Sequence, residues 1–527
     1  MGPRGHQPRP LRTRRPGHGI GRRAPPGPDR RQQRQRPRPP GRPPAGPGPA
    51  RPPGTRRHHH RDRRQARDRR TAQRRPGAPA ARGGLRPGLR RRRRARVPRH
   101  AGPAPRPSGV VTQAPFGEFV AGARARGTLV VQPRMGFSDP GRMRQGLART
   151  RAADAVTVGT LTLDSYTRVR DLDAARRALA EGVTLNGYPI CTHPPETTRG
   201  VLDGIHDASF PVQVRHGSPR PEHIVAALLG LGLDATEGGP VSYCLPYSRT
   251  PLAEAVVCWR TACEMLAEHT GDGRVPHLES FGGCMLGQLC PPAVLVAVSV
   301  LEGLFFARHG LRSVSLSYAQ QTSPQQDLEA VAALQRLAGE LLGTVDWHVV
   351  LYAYMGVYPL SRGGGLNLLE AAARLAVTSG ASRLIVKTAA EAHRIPTVAD
   401  NVEALEAAAR AAATATAPPP GPPAADSEVY AEARTLVHAV LDLHDDVGTA
   451  LLTAFRRGLL DIPYCLHPDN AGRARSFIDH DGRLRWGDTG ALPLGGAAVS
   501  AARKVTSADL LAALSRVRRA YDSGGTA

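Results

Sequence analysis

Lysine is almost missing from this sequence: 527 residues hold 70 Arg and only two Lys, Lys387 and Lys504. The first 100 residues lack far more. They contain no Lys, Glu, Ser, Cys, Phe, Tyr or Trp, and only three acids, Asp29, Asp62 and Asp68, against 33 Arg and 20 Pro. With so little apolar area to bury, residues 1–105 cannot offset the entropy of ordering, and a disordered Arg/Pro-rich tail is expected. The first Ser is Ser108, and the segment is not amphipathic, which argues against a mitochondrial transit peptide. No n-region and h-region pair marks a secretory signal. Two expectations remain for the tail. One is weak polyanion binding; the other is coding sequence upstream of the true start, which the Arg-over-Lys bias of a GC-rich gene favours.

The tail also accounts for the charge. The chain carries +28 overall, but the tail alone carries +30, and the remaining residues hold 39 basic and 41 acidic side chains. A body with a net charge of −2 gives no electrostatic footprint for nucleic acid. No apolar run reaches the roughly 18 residues of a membrane span; the longest, Ala293–Leu301, is cut by Glu302. Seven cysteines, odd in number and without a C-x-x-C pair, suggest neither a disulfide framework nor a zinc site, so a reducing cytoplasm is expected.

What the body does have is alternation. Nine short β-rich runs punctuate the chain: Thr128–Gln132, Ala155–Leu163, Val183–Tyr188, Pro211–Arg215, Ala235–Glu237, His277–Phe281, Ser313–Tyr318, His348–Tyr354 and Arg383–Lys387. Between them lie stretches of helical period such as Pro324–Leu342, where Ser323 suits the cap and Pro324 the first turn. Repeated strand-then-helix predicts parallel strands with crossover helices, an α/β fold. Length and repeat count favour a (β/α)8 TIM barrel over residues 106–412, with one candidate strand too many. A Pro/Ala-rich linker, 413–427, leads to a C-terminal α+β extension, 428–527, expected to pack on the barrel. It reads as helices Val429–Leu443 and Thr449–Leu460, then a hairpin turning at Asp481-Gly482.

A barrel of this kind carries its active site at the C-terminal ends of the strands. Those ends hold Arg134, Arg168 and Arg215, three guanidinium groups suited to a substrate with two carboxylates. They also hold His216, Glu237, Tyr243 and Tyr247. Lys387 is the sharper signal, since a chain that writes its positive charge as Arg has a Lys at a strand end only where a compact ammonium is needed. Its neighbours Thr388-x-x-Glu391 spell a capping box, which is compatible with a ligand contact at the same place. Other motifs carry less. Gly363-Gly364-Gly365 lacks a phosphate-loop ending and reads as a turn before a helix at Leu366. His58-His59-His60 lies in the tail. Asp442-Leu443-His444 approaches Asp-x-His-x-x-Gly, but Gly448 falls one residue late.

The runs VVQPRMG, TLDSYTR, LNGYP, PVQVRHG, ATEGGPVSYCLPY, LIVKTAAEAHRIPT and GLLDIPY stand in this order between about Thr128 and Leu494. Together they resemble the large (epsilon) subunit of adenosylcobalamin-dependent glutamate mutase, also called methylaspartate mutase. The resemblance implies a barrel enzyme, an isomerase that interconverts L-glutamate and (2S,3S)-3-methylaspartate by a radical route. It implies that Arg134, Arg168 and Arg215, with His216, grip both carboxylates, that Glu237 takes the substrate ammonium, and that Tyr243 and Tyr247 hydrogen-bond the substrate. It places Gly136, Asn186, Pro246, Tyr358, Lys387, Glu391 and Ile395 against adenosylcobalamin, with Lys387 and Glu391 on its ribose. Tyr358 departs from the family, which can have Phe there; its hydroxyl needs a partner. The resemblance also implies a small cobalamin-binding (sigma) subunit that carries Asp-x-His-x-x-Gly, in a heterotetramer of two large and two small subunits. Two alternatives stand beside this expectation: a related mutase acting on another dicarboxylic amino acid, and a non-catalytic barrel with a polyanion-binding tail.

Overall fold

Three helix starts show how the alternation is written locally. Asp139 accepts the Arg142 amide at 2.6 Å, Ser323 the Gln326 amide at 3.4 Å and Ser361 the Gly364 amide at 3.1 Å. Each supplies the acceptor that the free amides of a helix start require. Pro140 and Pro324 open two of these helices, where a missing N–H costs nothing. The computed structural model describes residues 115–285, 289–416, 427–495 and 505–524. The tail 1–105, His58-His59-His60 and most of the linker 413–427 lie outside the described residues.

Eight parallel strands follow in chain order: β1 Val130–Gln132, β2 Gly159–Thr162, β3 Val212–Arg215, β4 Ala235–Gly238, β5 His277–Ser280, β6 Ser313–Ala319, β7 Asp346–Tyr352 and β8 Arg383–Ile385. Each pairs in parallel with its successor from β2 to β8, and β8 pairs with β1. The circuit is completed where Val131 bridges Thr157 and its N–H donates to the Val156 carbonyl at 2.9 Å. With a helix after every strand, this is a (β/α)8 barrel. The ninth candidate strand, Val183–Tyr188, lies outside it. Only Tyr188 touches the sheet, in an isolated bridge to Leu163, because Gly187 brings the chain against the Leu163 backbone and Pro189 follows. The glycine run is corrected too: Gly363-Gly364-Gly365 forms the first turn of the helix Arg362–Thr378 instead of preceding it.

Helix Pro292–Arg308 is buried on every residue from Pro292 to Phe306. It lies between the barrel and helix Glu428–Leu441, which explains an apolar surface all round. Its one buried acid, Glu302, accepts from the Val241 and Ser242 amides at 3.0 and 2.8 Å and from the Ser242 and Ser280 hydroxyls. Burial pushes its carboxyl up to about 7. The hairpin Arg475–Ile478 and Leu484–Asp488 joins the barrel helix Pro324–Leu341 through Gln326, which exchanges hydrogen bonds with the Leu484 backbone at 2.8 and 3.0 Å. Two further helices, Ser507–Leu514 and Arg516–Asp522, were not legible as elements; Asp522 accepts the Leu360 and Ser361 amides. No helix among the described residues is long and apolar enough to cross a membrane.

Candidate active site

Strand β4 ends in Glu237-Gly238-Gly239, and the two glycines are required. Both have positive φ, a Cβ on Gly238 would meet the Trp259 ring at 2.3 Å, and one on Gly239 would meet the Glu302 carboxylate at 2.1 Å. This close turn sends the chain back so that Tyr243, anchored through the Glu302 contacts, returns over Glu237. The Tyr243 hydroxyl donates to Glu237 Oε1.

On the neighbouring strand, Arg215 is 4% exposed, and its Nε donates to Glu237 Oε2 at 2.7 Å. Burial disfavours its charge, but Glu237, Tyr352 and Tyr243 together outweigh this and hold the guanidinium well above its ordinary pKa. Next to it, His216 stacks on Trp259 (5.7 Å between centroids) and accepts the Ser218 amide on Nδ1 at 2.9 Å. Burial, reinforced by His223, Arg168 and Arg215, pushes its pKa down to about 3. The ring is therefore neutral with its proton on Nε2, and that buried atom has no partner. It is a free donor at the site.

Arg168 sits in the short helix Ser165–Val169, whose start is capped by the Asp164 carboxylate on the Tyr166 and Thr167 amides. Its side chain packs against Gly217, and it has no carboxylate partner among the described residues. Arg134, in the loop after β1, reaches Glu391 at 3.4 Å and the Met355 sulfur at 3.7 Å. The three arginines, His216, Glu237, Tyr243 and Tyr247 line one cavity of about 140 Å³ at the C-terminal strand ends. Thr162, Leu163, Gly217, Phe281 and Met355 complete its wall.

The seven residues expected against a cofactor are arranged outside that cavity. Glu391 accepts the Thr388 amide at 3.1 Å, the reverse half of the capping box, and also faces Arg134. Lys387 places its ammonium 4.5 Å from the centre of the Tyr358 ring and has no carboxylate within ion-pair distance among the described residues. Burial pushes it down to about 8, with Glu391 pulling up and Arg134 pushing down. The added hydroxyl of Tyr358 donates to the Gly365 carbonyl at 3.1 Å. Asn186 is exposed and bonds the Ser165 hydroxyl at 2.6 Å, Gly136 packs on the Thr162 carbonyl, and Pro246 is half-buried beside Tyr247. Ile395 is 63% exposed, and Val357 and Leu360 are exposed as well.

A polar layer beneath the cavity is absent from the sequence reading. Tyr352, on β7, donates to Glu237 Oε2 at 2.8 Å or to Glu279 Oε1, and accepts from Arg215 at 3.2 Å. Glu279 forms a fully buried ion pair with Arg383, and Gln132 and Gln213 extend the network. A Glu within His277–Ser280 and an Arg opening Arg383–Ile385 were the available signal, because charges in buried strands persist only when paired. Among the described residues the one cluster of side chains that could hold a metal ion is Asp479, His480 and Asp481, on the hairpin turn away from the cavity.

The methylaspartate mutase E chain (MutE) family matches residues 112–508. Similar proteins include the glutamate mutase epsilon subunit of Halobacterium salinarum, 31% identical over 394 residues, covering 72% of this chain and 81% of that protein. Those of Escherichia coli O157:H7 (29% identical, 63% and 72% covered) and Yersinia enterocolitica (28% identical, 72% and 81% covered) are similar as well.

Proposed function

The chain belongs to the methylaspartate mutase E chain family, and on that premise we propose that it is the catalytic subunit of an adenosylcobalamin-dependent glutamate mutase. The substrate is L-glutamate and the product (2S,3S)-3-methylaspartate. One observation carries the reading: three arginines and a single carboxylate, Glu237, converge on one small cavity. That charge pattern complements a molecule with two carboxylates and one ammonium. Arg168, without a carboxylate of its own, takes one substrate carboxylate with Arg134, and Arg215 with the free His216 Nε2–H takes the other. Glu237 accepts the ammonium. Holding both carboxylates keeps the carbon skeleton in register while it is rearranged.

The residues at the β8 mouth fit the cofactor. An ammonium without a fixed partner and a carboxylate beside it suit the two hydroxyls of a ribose, and Lys387 and Glu391 are that pair. Gly136, Asn186, Pro246, Tyr358 and Ile395 would form the rest of the contact, and the exposed apolar side chain of Ile395 suits a large covering group. When bound, adenosylcobalamin supplies the radical chemistry that removes and returns a substrate hydrogen. The partner in this reading is a small cobalamin-binding subunit with an Asp-x-His-x-x-Gly motif, in a cytoplasmic heterotetramer of two large and two small subunits. In this chain Asp442-Leu443-His444 merely ends a helix. The test combines this chain, such a subunit, adenosylcobalamin and glutamate, with product identification by NMR. Formation of 3-methylaspartate is expected. Turnover of a different dicarboxylic amino acid in preference to glutamate would reassign the substrate.

A further inference from the structure

The Tyr352 hydroxyl lies between two carboxylates and has one proton to give. Glu237 stands above it at the cavity wall; Glu279 stands below it, on β5, out of reach of any ligand at 0% exposure. Each carboxylate has its own arginine, Arg215 above and Arg383 below. All five side chains are buried, so their charges interact with little screening from solvent. Arg215 also donates to the Tyr352 oxygen at 3.2 Å, so one hydroxyl touches both the cation and the anion proposed to meet the substrate.

We propose that Tyr352 and Glu279 are positioning residues for an amino-acid substrate: Glu279 draws the tyrosine proton downward, which leaves Glu237 Oε2 free of that proton to accept the substrate ammonium, while the tyrosine oxygen steadies Arg215 for the carboxylate. This rests on the reading that the cavity binds an amino dicarboxylate. The supporting electrostatics agree in direction. Burial opposes the Glu279 charge, but Arg383, Tyr352 and Arg215 together hold its carboxyl below the ordinary range, while burial keeps Tyr352 protonated. An ionised Glu279 paired to Arg383 is the fixed end of the relay. Glu237, shared by Arg215, Tyr243 and Tyr352, is the end that can change partners.

The two residues separate under mutation. Tyr352→Phe keeps the ring and removes the hydroxyl, so both carboxylate and ammonium recognition lose support. Glu279→Gln keeps the shape but releases the tyrosine proton to Glu237, which weakens only the ammonium contact. Both variants are to be assembled with the cobalamin-binding subunit and cofactor and assayed with glutamate as substrate. Glutarate, the same dicarboxylate without the ammonium, serves as competitive inhibitor, and a melting curve monitors the fold. Because these contacts act on bound substrate before and during reaction alike, Tyr352→Phe is expected to raise KM about tenfold and weaken glutarate inhibition about as much, with kcat within about threefold. Glu279→Gln is expected to raise the glutamate KM about fivefold with glutarate inhibition within about twofold of wild type. A purely structural role predicts otherwise: equal loss for glutamate and glutarate in Glu279→Gln, which would overturn the assignment. So would unchanged KM in both variants alongside normal wild-type turnover. Failure of the wild-type complex to turn over glutamate or to be inhibited by glutarate would overturn the underlying reading, and this assignment with it.

Discussion

Arg215 and Glu237 hold each other: the guanidinium Nε donates to the carboxylate at 2.7 Å, with both side chains at or below 5% exposure. Two groups that suit opposite ends of an α-amino acid are thus paired before any ligand arrives. The pairing keeps two buried charges tolerable and leaves a site that a zwitterion can enter by exchange, its carboxylate to the arginine and its ammonium to the glutamate.

The clamp arginines should not be equivalent. Arg215→Lys loses the fork inside a buried network and is expected to cost about 2–5 kcal/mol in kcat/KM. Arg168→Lys should fall in the same range, because nothing else at its place supplies a bidentate donor. Arg134, 31% exposed and shared with Glu391, should lose less. Steady-state kinetics of the three variants with the assembled partner tests the order, and wild-type kinetics in any of them would remove that residue from the clamp.

Lys387 and Glu391 have a structural role and a proposed functional one. Glu391→Gln keeps the acceptor for the Thr388 amide but gives up the charge facing Arg134 and Lys387. Lys387→Arg keeps charge in a bulkier form. Both are expected to fold with melting points near wild type and to lose at least about tenfold in turnover, about 1.4 kcal/mol of barrier. Normal turnover in both would leave only the helix cap.

The pH profile should have an alkaline limb set by Lys387. Its ammonium is pushed down to about 8 from an ordinary 10.5, so turnover should fall as pH rises through about 8, and Lys387→Arg should move that limb upward. Stability runs the other way. Between about 8 and 10.5 the unfolded chain binds the extra proton, so this group's contribution to stability rises with pH across that window. His216, with its pKa at about 3, should add no step to activity above neutral pH. Its stability contribution is lost as pH falls from about 6.5 through 3, where the unfolded chain takes up the proton and the folded one resists it.

Tyr358→Phe separates packing from chemistry. The hydroxyl bond to the Gly365 carbonyl disappears, while the ring beneath Lys387 stays. A loss of about 0.5–1.5 kcal/mol in denaturant stability is expected, with turnover unchanged. A large drop in turnover at unchanged stability would place the hydroxyl in the site itself.

Removal of residues 1–105 should leave the melting point and the turnover of the assembled enzyme as they are. The composition of that segment, 33 Arg and 20 Pro in its first 100 residues with no aromatic side chain, offers no core to lose. A fall of several degrees would show that it belongs to the folded enzyme.

The sequence by itself determined the class of fold and the addresses of the charged strand ends. Both are local properties: a period that changes from two to 3.6, and a polar residue where an apolar run stops. Arg134, Arg168, Arg215, Glu237 and Lys387 could be read off for that reason. Which addresses meet was decided only by closing the barrel. Arg134 finds Glu391 across 257 residues, and Tyr352 reaches Glu237 across 115. Val183–Tyr188 has the composition of a strand but no vacant edge to pair with, since β2 and β3 are already hydrogen-bonded to each other. Glu279 and Arg383 belong to the candidate strands His277–Phe281 and Arg383–Lys387, and nothing local shows that each is the other's partner. The physical reason is the same in every case. Side-chain period follows from the backbone of one segment, whereas a buried charge takes its partner from whatever strand the parallel register brings alongside it.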